Sequence, residues 1–99
     1  MSKQIAVDEY LLTVLMRDLV GHDRSPSGFL IYLHLWGETK RPREHWVRTS
    51  HQAMAEATGL SKSAVQGAIR ALKARELLRV RKDSPTATPE YRLLRPWRR

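Results

Sequence analysis

Residues 49–75, TSHQAMAEATGLSKSAVQGAIRALKAR, decide how this chain folds. They read as two helices joined by a tight turn. Thr49, with Gln52 three positions on, forms a capping-box pattern that starts the first helix. That helix carries Met54, Ala55 and Thr58 and meets Gly59, a residue that takes positive φ without steric penalty and so stops a helix sharply. Leu60 follows as a plug between the helices. Ser61 supplies a second cap, its hydroxyl placed for the free N–H groups of the next helix. Val65, Ala68, Ile69 and Leu72 then recur at helical spacing, while Lys62, Ser63, Gln66, Gly67, Arg70 and Lys73 fall on the other side. One face is oily; the other is cationic and rich in hydrogen-bonding groups.

These residues resemble the helix-turn-helix of winged-helix bacterial regulators of the MarR and GntR types. The resemblance rests on Ala55, Gly59-Leu60, Ser61, Val65, the run Ala68-Ile69-Arg70-Ala71-Leu72, and Leu77-Leu78-Arg79-Val80, and it spans roughly residues 46–95. It departs at Glu76, where those families usually place glycine after the second helix. The resemblance implies a mainly α fold with a small β-hairpin wing, here a winged helix-turn-helix with an extra N-terminal helix. It also implies a recognition helix, residues 61–75, that enters the major groove of DNA.

The ninety-nine residues are read as one domain, with an N-terminal helix over 5–20, the winged helix-turn-helix over 26–95 and a basic tail at 96–99. The absence of cysteine excludes disulfides and thiol or Cys-based zinc chemistry. No run is long enough to span a membrane and no signal peptide opens the chain, so a cytoplasmic, nucleoid-associated protein is expected. The net charge of +8 is unevenly placed. Residues 1–39 hold three Lys/Arg against five Asp/Glu, a net of −2; residues 40–99 hold fifteen against five, a net of +10. Segregation of this kind is expected of a surface that binds a polyanion.

Residues 5–20, IAVDEYLLTVLMRDLV, predict a helix ending at Gly21, with Asp8 and Glu9 at its positive end. At 100° per residue its apolar positions form two stripes, Val7, Tyr10, Leu11, Val14 and Leu15 on one side and Ile5, Leu12, Met16 and Leu19 on the other. The second stripe is assigned to homodimerisation; a central helix buried on both sides within its own chain is the alternative. Ser25-Pro26 starts a further helix that runs to Trp36 and stops at Gly37, with Phe29, Tyr32, Leu33 and Trp36 on one face. The loop 38–45 offers Lys40, Arg41 and Arg43 either to phosphates or to water, and residues 46–48 form a short strand. In residues 77–82 Leu78 and Val80 alternate with Arg79 and Arg81, and Tyr91-Arg92-Leu93 alternates again after a Pro- and Ser-containing loop. This pair is the expected hairpin. Trp97 packs on the domain or, with its arginines, meets DNA.

The expected ligand is therefore double-stranded DNA. The first turns of the recognition helix place Lys62, Ser63 and Gln66 at base edges, where Gln pairs with adenine and Lys addresses guanine acceptors. Arg70 reaches a base or a phosphate, and Lys73 lies a turn further along. Ser61, His51 and Gln52 sit at helix starts, where N–H groups receive phosphates. Arg79, Arg81 and Lys82 on the hairpin straddle the adjacent backbone. No catalytic residue, metal site, cofactor or small-molecule site is marked: there is no phosphate-binding glycine loop, HExxH or nucleophile elbow, and the four histidines are scattered. Three roles fit: a dimeric transcriptional regulator, a plasmid or phage replication or partition factor, and a winged helix used for protein interaction or assembly.

Overall fold

The chain alternates from helical N-terminal half to mixed C-terminal half around one buried helix. The computed structural model describes residues 3–39 and 46–98. Helix α1 runs over residues 9–22 and consists of two π-helical segments, Leu11–Leu15 and Arg17–His22. Helix α2 is Pro26–Glu38, strand β1 is Val47–Arg48, and helices α3 and α4 are His51–Thr58 and Lys62–Ala74. Strands β2, Leu78–Arg81, and β3, Glu90–Leu93, close the chain. The sheet is antiparallel in the order β1-β3-β2, with Val80 and Val47 both opposite Tyr91. The protein is thus mainly helical with a small sheet, as expected, and the expected hairpin gains β1 as its third strand.

Helix α2 organises the core. It packs against α1 on one side and α4 on another, with α3 and β3 beside it. Ile31, Tyr32 and Leu35 on α2 are fully buried with Leu11 and Leu19 of α1, Met54 of α3, Val65 and Leu72 of α4, and Tyr91 of β3. Full burial of such side chains stabilises by about 1.5–3 kcal/mol each. The Tyr32 hydroxyl donates to the Leu94 carbonyl at 2.8 Å and Trp36 Nε1 to the Ala6 carbonyl at 2.9 Å, so the polar atoms of these two core residues are satisfied.

Local chemistry sets the helix ends. Ser25 caps α2, accepting from the Gly28 N–H, with Pro26 in the first turn. Gly59, at φ +81°, ends α3, its N–H donating to Ala55 at 2.9 Å. Ser61 caps α4 by accepting from the Ala64 N–H at 3.0 Å. The end of α4 is a Schellman motif: Glu76 N–H donates to Lys73 and Leu77 N–H to Leu72. Glu76 holds the left-handed position, φ +58°, that glycine usually takes. The departure noted in the sequence therefore alters the residue and leaves the geometry.

Several expected boundaries shift. The cap of α3 is Ser50, which accepts from Ala53 N–H at 3.0 Å, and not Thr49. Thr49 instead donates its N–H to the Pro89 carbonyl, continuing the β1–β3 pairing. Neither Gly21 nor Gly37 stops a helix, because neither takes positive φ; α1 continues to His22 and α2 to Glu38. Leu19, expected at a dimer surface, is fully buried in the chain's own core. The reason is the hydrogen-bond pattern of α1, in which Met16 N–H reaches Leu11 and Asp23 N–H reaches Asp18. Turns wider than 3.6 residues move Leu19 away from Met16 and into line with Leu11 and Leu15.

Candidate nucleic-acid interface

The stretch that carries the site is amphipathic because of where its small and branched residues fall. On α4, Val65, Ala68, Ile69 and Leu72 are buried, which turns Lys62, Ser63, Gln66, Arg70 and Lys73 to the exposed side. None of the three cations in that row has an ion-pair partner among the described residues. Four arginines elsewhere in the chain are matched with carboxylates. Arg75 makes a bidentate pair with Asp23, both bonds 2.7 Å, and Arg98 clasps Asp8. Arg48 and Arg81 share Glu90. Each of the first two pairs lowers the carboxyl pKa to about 2, chiefly through the guanidinium hydrogen bonds.

Gly67 lies on α4 within this polar side. A methyl group there would meet only the Arg70 guanidinium, at an ordinary 3.8 Å. No packing within the chain therefore requires glycine at this position, although glycine costs about 1 kcal/mol relative to alanine in a helix.

The flanking candidates divide. Ser61 is exposed; its oxygen caps α4 and its O–H remains able to donate. His51 is half-buried as the first residue of α3. Gln52 is exposed, and its amide donates to the Glu56 carboxylate at 2.9 Å, one turn along its own helix. On the hairpin Arg79 is exposed and has no carboxylate partner among the described residues. Arg81 is partly committed, pairing with Glu90 at 3.2 Å and lying 3.9 Å over the Trp46 ring. Lys82 donates to the Pro85 carbonyl at 3.3 Å, which curls it onto its own loop. Lys40, Arg41 and Arg43 lie outside the described residues, as do Glu44, His45 and Arg99.

Register exposes a residue that sequence reasoning missed. Arg92 stands directly opposite Arg79 on the outer face of the sheet. Like charges in that position are destabilising, and an anion relieves them. The alternation of Tyr91-Arg92-Leu93 turns Arg92 outward, but only the pairing register sets it beside Arg79. A cleft of about 520 Å³ joins this hairpin to the end of α4, lined by Lys73, Glu76, Arg79 and Arg95 among others. Lys73, at the end of the exposed row of α4, and Arg79 of the sheet thus border one depression.

Trp97 and Arg98 of the basic tail are held down. Trp97 stacks on Tyr10, ring centroids 4.5 Å apart, and its Nε1 donates to Asp8 at 2.8 Å. Arg95 covers Trp36 at 4.1 Å. A second cleft of about 540 Å³ lies there, between Trp36, Ile5, Arg95 and Arg98. Among the described residues no group of three or more His, Asp or Glu side chains converges as a metal site, and no helix is long and apolar enough to cross a membrane. No protein family matches this chain, and neither does any curated protein or solved structure.

Proposed function

We propose that the protein is a sequence-specific binder of double-stranded DNA, a winged helix-turn-helix that lays α4 in the major groove with the β2–β3 hairpin as its wing. Its role on this reading is transcriptional regulation at the nucleoid, and a homodimer sets two such faces on one duplex. The observation that carries the reading is the uncompensated row Lys62, Arg70 and Lys73, interleaved with Ser63 and Gln66, in a chain that pairs Arg48, Arg75, Arg81 and Arg98 with carboxylates. A concentration of cations without counter-charge raises the energy of the free protein. Phosphates lower it, and release of their condensed counterions drives association. Gln66 and Lys62 supply hydrogen bonds that distinguish bases. Ser61 and Arg79 fall at the two ends of the row as phosphate ligands, with Arg92 beside Arg79.

An interaction module is the weaker alternative, because a helix that binds protein exposes apolar anchors and every large apolar side chain of α4 is buried. The test is selection of bound fragments from a random duplex pool, followed by a mobility shift on the enriched sequence. Enrichment of one motif, palindromic if two copies bind, supports the reading. Failure to retain any duplex at low salt sinks it.

A further inference from the structure

Of the apolar residues assigned to a dimer surface, Leu12 and Met16 are exposed on α1, whereas Ile5, ahead of that helix, lines the cleft of about 540 Å³ beside Trp36. Small-molecule sites typically enclose about 300–1,000 Å³. Tertiary contacts pin the walls of this one. Trp36 Nε1 donates to the Ala6 carbonyl at 2.9 Å, which straps the N-terminal segment to the end of α2. Asp8 holds Trp97 and Arg98. The cleft is therefore formed in the free protein and needs no ligand to assemble it.

Two kinds of surface face the cleft. One is aliphatic: Ile5 at 64 % exposure, exposed Ala6, and Gly37, which adds no side chain of its own. The other is cationic. Lys3 and Arg95 line the cleft, and neither has a carboxylate partner among the described residues. Among the described residues no carboxylate lines it, and the nearby Asp8 is committed to Arg98 and Trp97. Trp36 offers no open ring, being 5 % exposed beneath Arg95, whose Cζ lies 4.1 Å from the ring centroid, and Arg98, at 5.6 Å. Backed by the indole, the Arg95 guanidinium keeps N–H donors at its edge, the geometry that a carboxylate meets with two parallel hydrogen bonds.

We propose that this cleft binds a short-chain aliphatic carboxylate, its head group on Arg95 and its hydrocarbon against Ile5, Ala6 and Gly37. The cations select an anion. The covered indole disfavours a stacked aromatic ring, and the aliphatic wall accepts a hydrocarbon chain. This site is separate from the α4 row, and the proposal does not depend on the DNA reading.

The test is a titration of the full chain with hexanoate, without DNA, followed by amide and side-chain NH resonances in NMR. The Gly37 amide, the Trp36 indole N–H and Arg95 Nε–H are expected to shift saturably. Hexylamine is expected to leave them in place, and benzoate to bind more weakly than hexanoate. Arg95→Gln is expected to weaken hexanoate by about tenfold or more. Because Arg95 also packs on Trp36, Arg95→Lys is read beside it; keeping the charge and losing the fork, it should bind with intermediate affinity. Gly37→Leu places a side chain in the cleft, starting 3.6 Å from Ile5 Cδ1, and is expected to abolish binding in a protein whose remaining spectrum is unchanged. Shifts that never saturate, or hexanoate affinity that survives Arg95→Gln or Gly37→Leu, overturn the site. Hexylamine or benzoate binding as tightly as hexanoate overturns the assigned ligand class. None of these results bears on whether duplex DNA binds α4, which the selection experiment reads separately.

Discussion

Gly67 is the residue at which stability and the proposed binding pull in opposite directions. Since its missing methyl group has only the Arg70 guanidinium nearby, at 3.8 Å, Gly67→Ala is expected to stabilise the free protein by about 1 kcal/mol. On a domain of this size that raises the thermal midpoint by about 4–8 °C. If a base edge or phosphate approaches the helix backbone there, the same change weakens DNA binding; a variant that gains stability and binds as tightly as wild type removes any role for this glycine at the interface. Gln66→Ala and Arg70→Ala are each expected to cost about 1–3 kcal/mol on the selected site and little on random duplex. Titration on both DNAs checks this, and equal losses would reassign the pair to the phosphate backbone. Glu76→Gly is expected to stabilise by about 1 kcal/mol, because it relieves a non-glycine residue at φ +58°. It also removes a carboxylate from the cleft that holds Lys73 and Arg79, so thermal melting and affinity should both improve. At this scale Gly59, Ser61 and Ser25 were legible from the sequence, because caps and left-handed positions depend on residues three or four apart. Leu19 was not, because its burial is decided by an unusual turn width that no local pattern announces.

Among the elements, the ends of the chain are joined by one carboxylate. Asp8 receives Trp97 Nε1 and the Arg98 guanidinium, and Trp97 lies on Tyr10. A corresponding pair, Asp23 with Arg75, ties the end of α1 to the end of α4. Both carboxyls are held at about 2, below the 3.8 expected when the chain unfolds. Between those values the unfolded chain binds more protons than the folded one. The stability these pairs contribute is therefore complete above pH 3.8 and is lost as pH falls toward 2. Asp8→Asn is expected to lower the thermal midpoint at neutral pH and to flatten part of its decline on acidification. Midpoints measured from pH 6 down to pH 2 check this, and a variant curve parallel to that of the wild type would show that the clasp is energetically idle. The elements themselves were largely readable: α2, α3, α4 and the hairpin fall within a few residues of their expected spans. The exceptions were helix ends assigned to Gly21 and Gly37, where glycine was taken for a stop although the backbone keeps ordinary helical dihedrals.

For the whole molecule the governing quantity is the separation of charge, −2 on the first thirty-nine residues and +10 on the rest. If DNA is the ligand and six to ten phosphates are neutralised per complex, affinity should fall by about 10³-fold or more between 50 and 200 mM salt. A mobility-shift titration with a flat salt response would argue against groove binding. The amphipathic division of α4, its caps, the outward arginines of the hairpin and this charge asymmetry follow from residue order alone, because each arises from side-chain spacing along one element or from a simple count. Tertiary structure alone decided which cations are quenched by distant carboxylates, that Arg92 stands beside Arg79, and which stripe of α1 stays in water. Those outcomes turn on residues far apart in the chain, as Asp8 and Arg98 are, or on a backbone register, and neither is written in local periodicity.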